Sequence, residues 1–399
     1  MGGKAFFSRQ PKGKSPQERY ILCIDGGGMR GVIPCHLLAK LDEMLKERGD
    51  QRPLAEHFDL IAGTSTGGLI ALALTIPLGK SGFAQDESEQ GLVYQPRAQS
   101  WMRRLLHLPV TEEAVGAFPR TATIQEISEL YRVNGKRIFP KRQSRFFGSF
   151  FTDKYDVGPL EEFLQEKFLD TPLSEAVVPV LATSYNIAES GRPFIFTSRD
   201  SHQFLFREAG RATSAAPTYF KPATMTDRVT GEPLMLIDGG LVANNPVLYA
   251  LQEARKLYPD CTTFHILSLA TRQPEIHIEM NGNTGMVAWL DPSQGAPIQR
   301  ILSTAQEQTS SSIIRSIRGV DYVRVEGPLS AGYKLDETAS EALATLQEDA
   351  DAMFKNHEEE LARYVQMLSR RTNFDQLRLD PIPPTTIKVT TNALQTTAT

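Results

Sequence analysis

Two short apolar runs, Tyr20–Ile24 and Phe58–Ala62, each end in a glycine-framed turn that leads directly into an apolar helical pattern, and this doubled unit restricts the fold more than any other feature of the chain. After the first run comes Asp25-Gly26-Gly27-Gly28-Met29-Arg30-Gly31, then Val32, Leu37, Leu38, Leu41 and Leu45 at helical spacing, with a stop at Arg48-Gly49. After the second comes Gly63-Thr64-Ser65-Thr66-Gly67, then a helix body from Leu69 to Thr75 that closes near Pro77. Further strands are expected at Val178–Tyr185, Phe194–Thr197, Leu234–Ile237, Phe264–Leu269 and Tyr322–Val325. Helical patterns are expected at Ile124–Arg132, Asp156–Leu169, Pro246–Tyr258 and Glu337–Ser369. Strands alternating with helices predict an α/β fold around a largely parallel sheet.

Leu60 to Gly79 holds no charge and is long enough to pass for a membrane span. Its glycines, threonines and serine dilute it, and a strand-turn-helix unit buried in a core carries the same absence of charge. At 399 residues, 41% apolar and 23% charged, the chain has material for a large core without disulfides or a structural metal. Lys plus Arg is 43 against 47 for Asp plus Glu, a net of −4 that provides no bulk field for a nucleic-acid polymer or anionic lipid, so any basic site is local. Cys23, Cys35 and Cys261 are odd in number and lack metal-ligand spacing, which points to a reduced, intracellular protein. The N-terminus has no apolar h-region, and Phe6 stands where a myristoylation signal needs Ser or Thr. The expected organisation is an extension over 1–19, a main domain over 20–370 with an insertion or cap at about 80–151, and a Thr- and Pro-rich tail over 371–399.

Gly63 and Gly67 frame Ser65 in a G-x-S-x-G at a strand-to-helix junction, where small neighbours allow a strained turn to present a serine hydroxyl; a plain Gly/Ser turn is the alternative. Gly26, Gly28 and Gly31 satisfy G-x-G-x-x-G, but no second strand ends in an acidic residue about 20 residues on, and Asp25 would place a carboxylate beside a pyrophosphate. A Walker A loop fails for want of Gly-Lys-[Ser/Thr]. There remain a glycine loop whose N–H groups, with Arg30 near, stabilise an oxyanion, and a tight turn that needs glycine for its dihedrals. None of the seven histidines, His36, His57, His107, His202, His265, His277 and His357, sits in a glycine- or proline-framed turn at a strand end. Asp238 does, in Leu234-Met235-Leu236-Ile237-Asp238-Gly239-Gly240, either as a base or as an N-cap or Asx-turn residue.

Together these segments resemble the patatin-like phospholipases, lipid acyl hydrolases with a Ser/Asp dyad. The family's D-G-G-G-x-R-G appears as Asp25–Gly31, its G-x-S-x-G as Gly63–Gly67 and its D-G-[GA] as Asp238–Gly240. Supporting blocks are Ala209–Pro217, Asn244-Asn245-Pro246 and Tyr333–Asp336, so the likeness covers about residues 20 to 345. It implies a three-layer α/β/α sandwich around a mainly parallel sheet. It also implies Ser65 as nucleophile, Asp238 as general base, an oxyanion hole from Gly26, Gly27 and Gly28 supported by Arg30, and no cofactor or metal. The implied substrate is membrane phospholipid, cleaved at carboxylic esters through an acyl-enzyme by a cytoplasmic protein that is peripheral at the inner membrane when active. Two alternatives stand beside this. One is the same hydrolase switched on by a cyclic nucleotide as a membrane-degrading antiviral effector. The other is a non-catalytic lipid-binding or storage protein, which should have lost Ser65 or Asp238. Oligomeric state is left open.

Between Asn134 and Phe151, Lys136, Arg137, Lys141, Arg142 and Arg145 interleave with Ile138, Phe139, Phe146, Phe147, Phe150 and Phe151, without an acidic residue. That mixture fits an interfacial membrane contact or a nucleotide-phosphate site. The alternative is that the phenylalanines pack under the cap.

Overall fold

The computed structural model describes residues 18–83, 92–96, 112–117, 121–140, 153–188, 191–199, 203–272, 289 and 297–370. In chain order the elements are β1 (Glu18–Ile24), α1 (Val32–Glu47), β2 (Leu60–Thr64), α2 (Thr66–Thr75), β3 (Leu92–Pro96), β4 (Glu112–Ala117), α3 (Ile124–Ile138), α4 (Gly158–Phe168), β5 (Val180–Asn186), β6 (Arg192–Thr197) and α5 (Phe206–Thr213). They continue as β7 (Ala223–Thr226), β8 (Pro233–Asp238), α6 (Gly240–Ala243), α7 (Val247–Leu257), β9 (Thr263–Leu269), α8 (Pro297–Ser316), β10 (Val320–Val325), α9 (Ser340–Asn356) and α10 (Glu358–Ser369).

An eight-stranded sheet runs β10-β9-β1-β2-β5-β8-β7, with β6 also on β5. The pairs from β10 through β5 are parallel, and β6, β7 and β8 join antiparallel. Because side chains alternate across a strand, β1 sends Tyr20, Leu22 and Ile24 into the larger apolar cluster, with α1, α2, α9 and α10. Ile21 and Cys23 go into a second cluster with Val247, Leu251 and Ala254 of α7 and Ile314 of α8. The central strand is therefore apolar on both faces because helices cover both, which makes the fold a three-layer α/β/α sandwich.

The charge-free stretch from Leu60 resolves into β2, a tight turn and α2, and no described helix is long and apolar enough to cross a membrane. All seven anticipated strands form. Several features differ from expectation, the short helix α5 among them. The edge strand β7 and the β3–β4 hairpin appear where no alternation was legible. The helical run over 337–369 divides at His357, whose backbone (φ −116°, ψ 14°) caps α9 while its Nδ1 donates to Met353 O at 2.9 Å. The 20-residue α8 was unanticipated because Ser, Thr and Gln interrupt its apolar stripe. The 1–17 and 371–399 segments lie outside the described residues.

Candidate active site

One edge of β5 brings the two principal side chains together. Residues Ile61–Thr64 of β2 pair with Val180–Thr183, ending at Thr64↔Thr183. From the next β5 residue, β8 takes over the same strand in the opposite direction, beginning at Ser184↔Asp238. The C-terminal ends of β2 and β8 therefore meet over consecutive residues of β5, and the residues leaving them, Ser65 and Asp238, face one another across 173 positions of sequence. The junction is tied by Thr64 Oγ1, which lies 2.7 Å from Thr183 Oγ1 and donates to Ala243 O at 2.6 Å.

Ser65 sits at φ 54°, ψ −122°, a left-handed conformation that L-residues rarely adopt. Close packing holds it there. A Cβ on Gly63 would lie 2.1 Å from Gly67 O, and one on Gly67 would lie 2.2 Å from Ile24 O, so the turn is compressed between α2 and the end of β1. The Ser65 N–H donates to Thr213 Oγ1 at 2.9 Å. Asp238 is buried at 6% exposure and accepts from Gly240 N–H at 2.7 Å. Burial pushes its pKa from 3.8 up to about 6, outweighing the lowering influence of the neighbouring Ser65 and of Gly240 N–H.

The glycine loop leaves β1 beside the serine turn. Asp25 faces away from Ser65 into a buried ion pair with Arg324 of β10, at 2.7 and 2.5 Å. Asn244 O accepts from Gly26 N–H at 3.2 Å, while Gly26 O accepts from Thr271 Oγ1 at 2.7 Å. The Gly26 N–H is thus committed, whereas those of Gly27 and Gly28 take no partner among the described residues. Gly28 holds φ 58°, and a Cβ there would stand 2.2 Å from Leu335 O. Arg30 Nε donates to Gly27 O at 3.2 Å.

Ser65, Asp238 and the glycine loop open into a cavity of about 390 Å³. Its interior is hydrocarbon, with Ile70 of α2, Ile127 of α3, and Leu160, Phe163 and Phe168 of α4 all buried. Its rim carries Leu241 and Leu302, which are 54% and 64% exposed. Arg272 and Ser303 supply a polar edge. None of the four described histidines lines the cavity: His36 meets Asp351, His265 meets Asp321, His57 lies by Asp50, and His357 caps α9. His107, His202 and His277 lie outside the described residues.

Of the basic-aromatic stretch, Lys141, Arg142, Arg145, Phe146, Phe147, Phe150 and Phe151 lie outside the described residues. The part that is described lies on α3 and at its end. Ile138 and Phe139 line the cavity, Phe139 packing 5.3 Å from the Tyr155 ring and 5.8 Å from that of Phe220, and Arg137 is held by Glu162 and Glu166.

Sequence reasoning missed Glu307. It is 1% exposed on α8, and its Oε1 accepts from Asn244 Nδ2 at 2.7 Å and Ser303 Oγ at 3.2 Å, with Arg272 Nη2 at 3.4 Å. The nearest signal was Asn244-Asn245-Pro246 following the Asp238 turn, which marks a polar cluster without naming its partner.

The family profile described as patatin-like phospholipase matches residues 22–251, which span β1, the glycine loop, the serine turn and the Asp238 turn. The chain belongs to the patatin-like phospholipase family. As a patatin-like phospholipase it is a lipid hydrolase with the family's α/β/α fold. It is 29% identical over 393 residues to patatin-like protein 2 of Arabidopsis thaliana, covering 89% of this chain and 84% of that protein. It is 26% identical to patatin group J-1 of Solanum tuberosum, covering 88% and 90%. A Pseudomonas aeruginosa protein named cGAMP-activated phospholipase is 26% identical over 314 residues, covering 77% and 78%.

Proposed function

We propose that this patatin-like phospholipase cleaves carboxylic esters of membrane phospholipids by a Ser65/Asp238 dyad. The observation that carries the reading is Ser65 and a desolvated carboxylate, Asp238, brought together by β5 at the end of an apolar cavity. With an acyl chain in the cavity, Ser65 Oγ attacks the ester carbonyl carbon and its proton passes to Asp238. Gly27 and Gly28 line the cavity, and their N–H groups, which take no partner among the described residues, serve as donors to the tetrahedral oxyanion. Arg30, bonded to Gly27 O, supports the loop. Collapse of the intermediate expels the lysolipid alkoxide, which takes the proton from Asp238. Asp238 then deprotonates a water that attacks the acyl-enzyme, releasing fatty acid and returning the proton to Ser65. A carboxylate is a weak base in water, and the burial that lifts Asp238 to about 6 is what fits it for this role. The test is mass spectrometry of a mixed lipid extract after incubation with the protein and with Ser65→Ala. Free fatty acid and lysolipid should appear with the parent alone; equal release by both proteins refutes the dyad.

A second reading, switching by a cyclic nucleotide in a defence role at the inner membrane, is supported by the name of the Pseudomonas relative. Release of fatty acid from vesicles with and without cGAMP decides it. Full activity without the nucleotide refutes it.

A further inference from the structure

Besides Asp238, the cavity carries two charged side chains, Arg30 and Arg272. β9 lies parallel beside β1, so Thr271 and Arg272, which follow β9, leave the sheet at the same end as the glycine loop. Thr271 is clamped to that loop through Gly26 O, and Arg272 projects into the cavity beside Arg30. Glu307 Oε1 stands 3.4 Å from Arg272 Nη2, but the same oxygen already accepts from Asn244 and Ser303. The hydrogen bond of Arg30 goes to a neutral carbonyl, Gly27 O. Burial first, and then Arg272, lower the pKa of Arg30 to about 10, so Arg30 feels the crowding of positive charge. Asp238 lines the same cavity, but among the described residues no carboxylate forms an ion pair with Arg30, and the one that meets Arg272 is shared with two other donors, an arrangement at the edge of a hydrocarbon cavity that a bound anion stabilises. Exposed Leu241 and Leu302 rim the same opening, so an anion attached to acyl chains satisfies both halves of the surface.

We propose that Arg272, positioned by Glu307, binds the phosphate of the lipid headgroup, and that with Arg30 it directs the enzyme to phospholipids over neutral acylglycerols. The proposal rests on the lipid acyl hydrolase reading and adds to it the residue that selects the headgroup. If Arg272 served only as counterion to Glu307, its loss would disturb the glycine loop and slow every ester alike.

The test uses the full chain with dioleoylphosphatidylcholine and dioleoylglycerol in matched mixed micelles. The parent should favour the phospholipid. Arg272→Gln should reduce the ratio of the two kcat/KM values roughly ten- to hundredfold, as expected for loss of charge-assisted hydrogen bonds, with the change mainly in KM. Arg272→Lys, which keeps the charge without the planar fork, should fall between the two. Parent preference for dioleoylglycerol, or an equal loss on both lipids in Arg272→Gln, overturns the proposal, as does an unchanged ratio. The parent comparison needs no variant to fold. Absence of any lipid cleavage by the parent, or cleavage that survives Ser65→Ala, would instead refute the underlying hydrolase reading.

Discussion

Replacing Asp238 with Asn should stabilise the protein while silencing it. Asp238 is buried without an ion-pair partner among the described residues; Gly240 N–H donates to it and Ser65 lies beside it, and neither is a cation. Raising its pKa from 3.8 to about 6 corresponds to about 3 kcal/mol of folding free energy at 1.36 kcal/mol per pKa unit. The sign follows from proton linkage. A folded-state pKa above the unfolded one contributes stability that is fully present below about 3.8 and lost as pH rises through about 6. At pH 8 the ionised group therefore opposes folding by about 3 kcal/mol, and at pH 5 by roughly half of that. Asn keeps an oxygen for Gly240 N–H and removes the charge, so Asp238→Asn should exceed the parent in urea denaturation by up to about 3 kcal/mol at pH 8, with a smaller gap at pH 5. Activity should move the other way. Loss of a general base lowers turnover by about 10²- to 10⁴-fold, and in the parent kcat/KM should drop to roughly a tenth at pH 5, where about one Asp238 in ten is ionised. Equal stability of the two proteins at pH 8, or a gap that does not change with pH, would refute the claim that desolvation sets the basicity of Asp238.

Other perturbations separate chemistry from scaffolding. Ser65→Gly removes a side chain from a left-handed conformation and should be inactive yet about 1 kcal/mol more stable, the released strain exceeding the added chain entropy; calorimetry reads it. Gly28→Ala drives a Cβ toward Leu335 O and should lower kcat by roughly 10²- to 10³-fold through displacement of an oxyanion donor, whereas unchanged turnover would reduce the glycine to a turn residue. Arg324→Met strands the buried Asp25 carboxylate and should destabilise by about 3–5 kcal/mol, visible as a lower urea midpoint.

The serine turn, the glycine loop and the Asp238 turn were legible in the chain because each is a local device. A strand end, a glycine forced by backbone approach and a helix start all fall within a few residues, so the constraint is written where it acts. The same holds for the parallel core, whose strands are apolar throughout because helices cover both faces. What lies between those devices needed tertiary structure. Handing the edge of β5 from Thr64 to Asp238 is a matter of register between strands far apart in sequence, and no window of residues records it. Asp25 read as an obstacle to nucleotide binding; in the fold it is the anchor of its loop, through an arginine 299 residues away. Glu307 and Arg272 carried no motif at all. A Ser- and Gln-rich helix and the first residues past β9 acquire meaning only when β9 is laid beside β1, which brings their charges to the mouth of one hydrocarbon cavity. Burial has the same origin: the chain supplies a carboxylate, and the water excluded from around Asp238 by the packed layers raises its pKa.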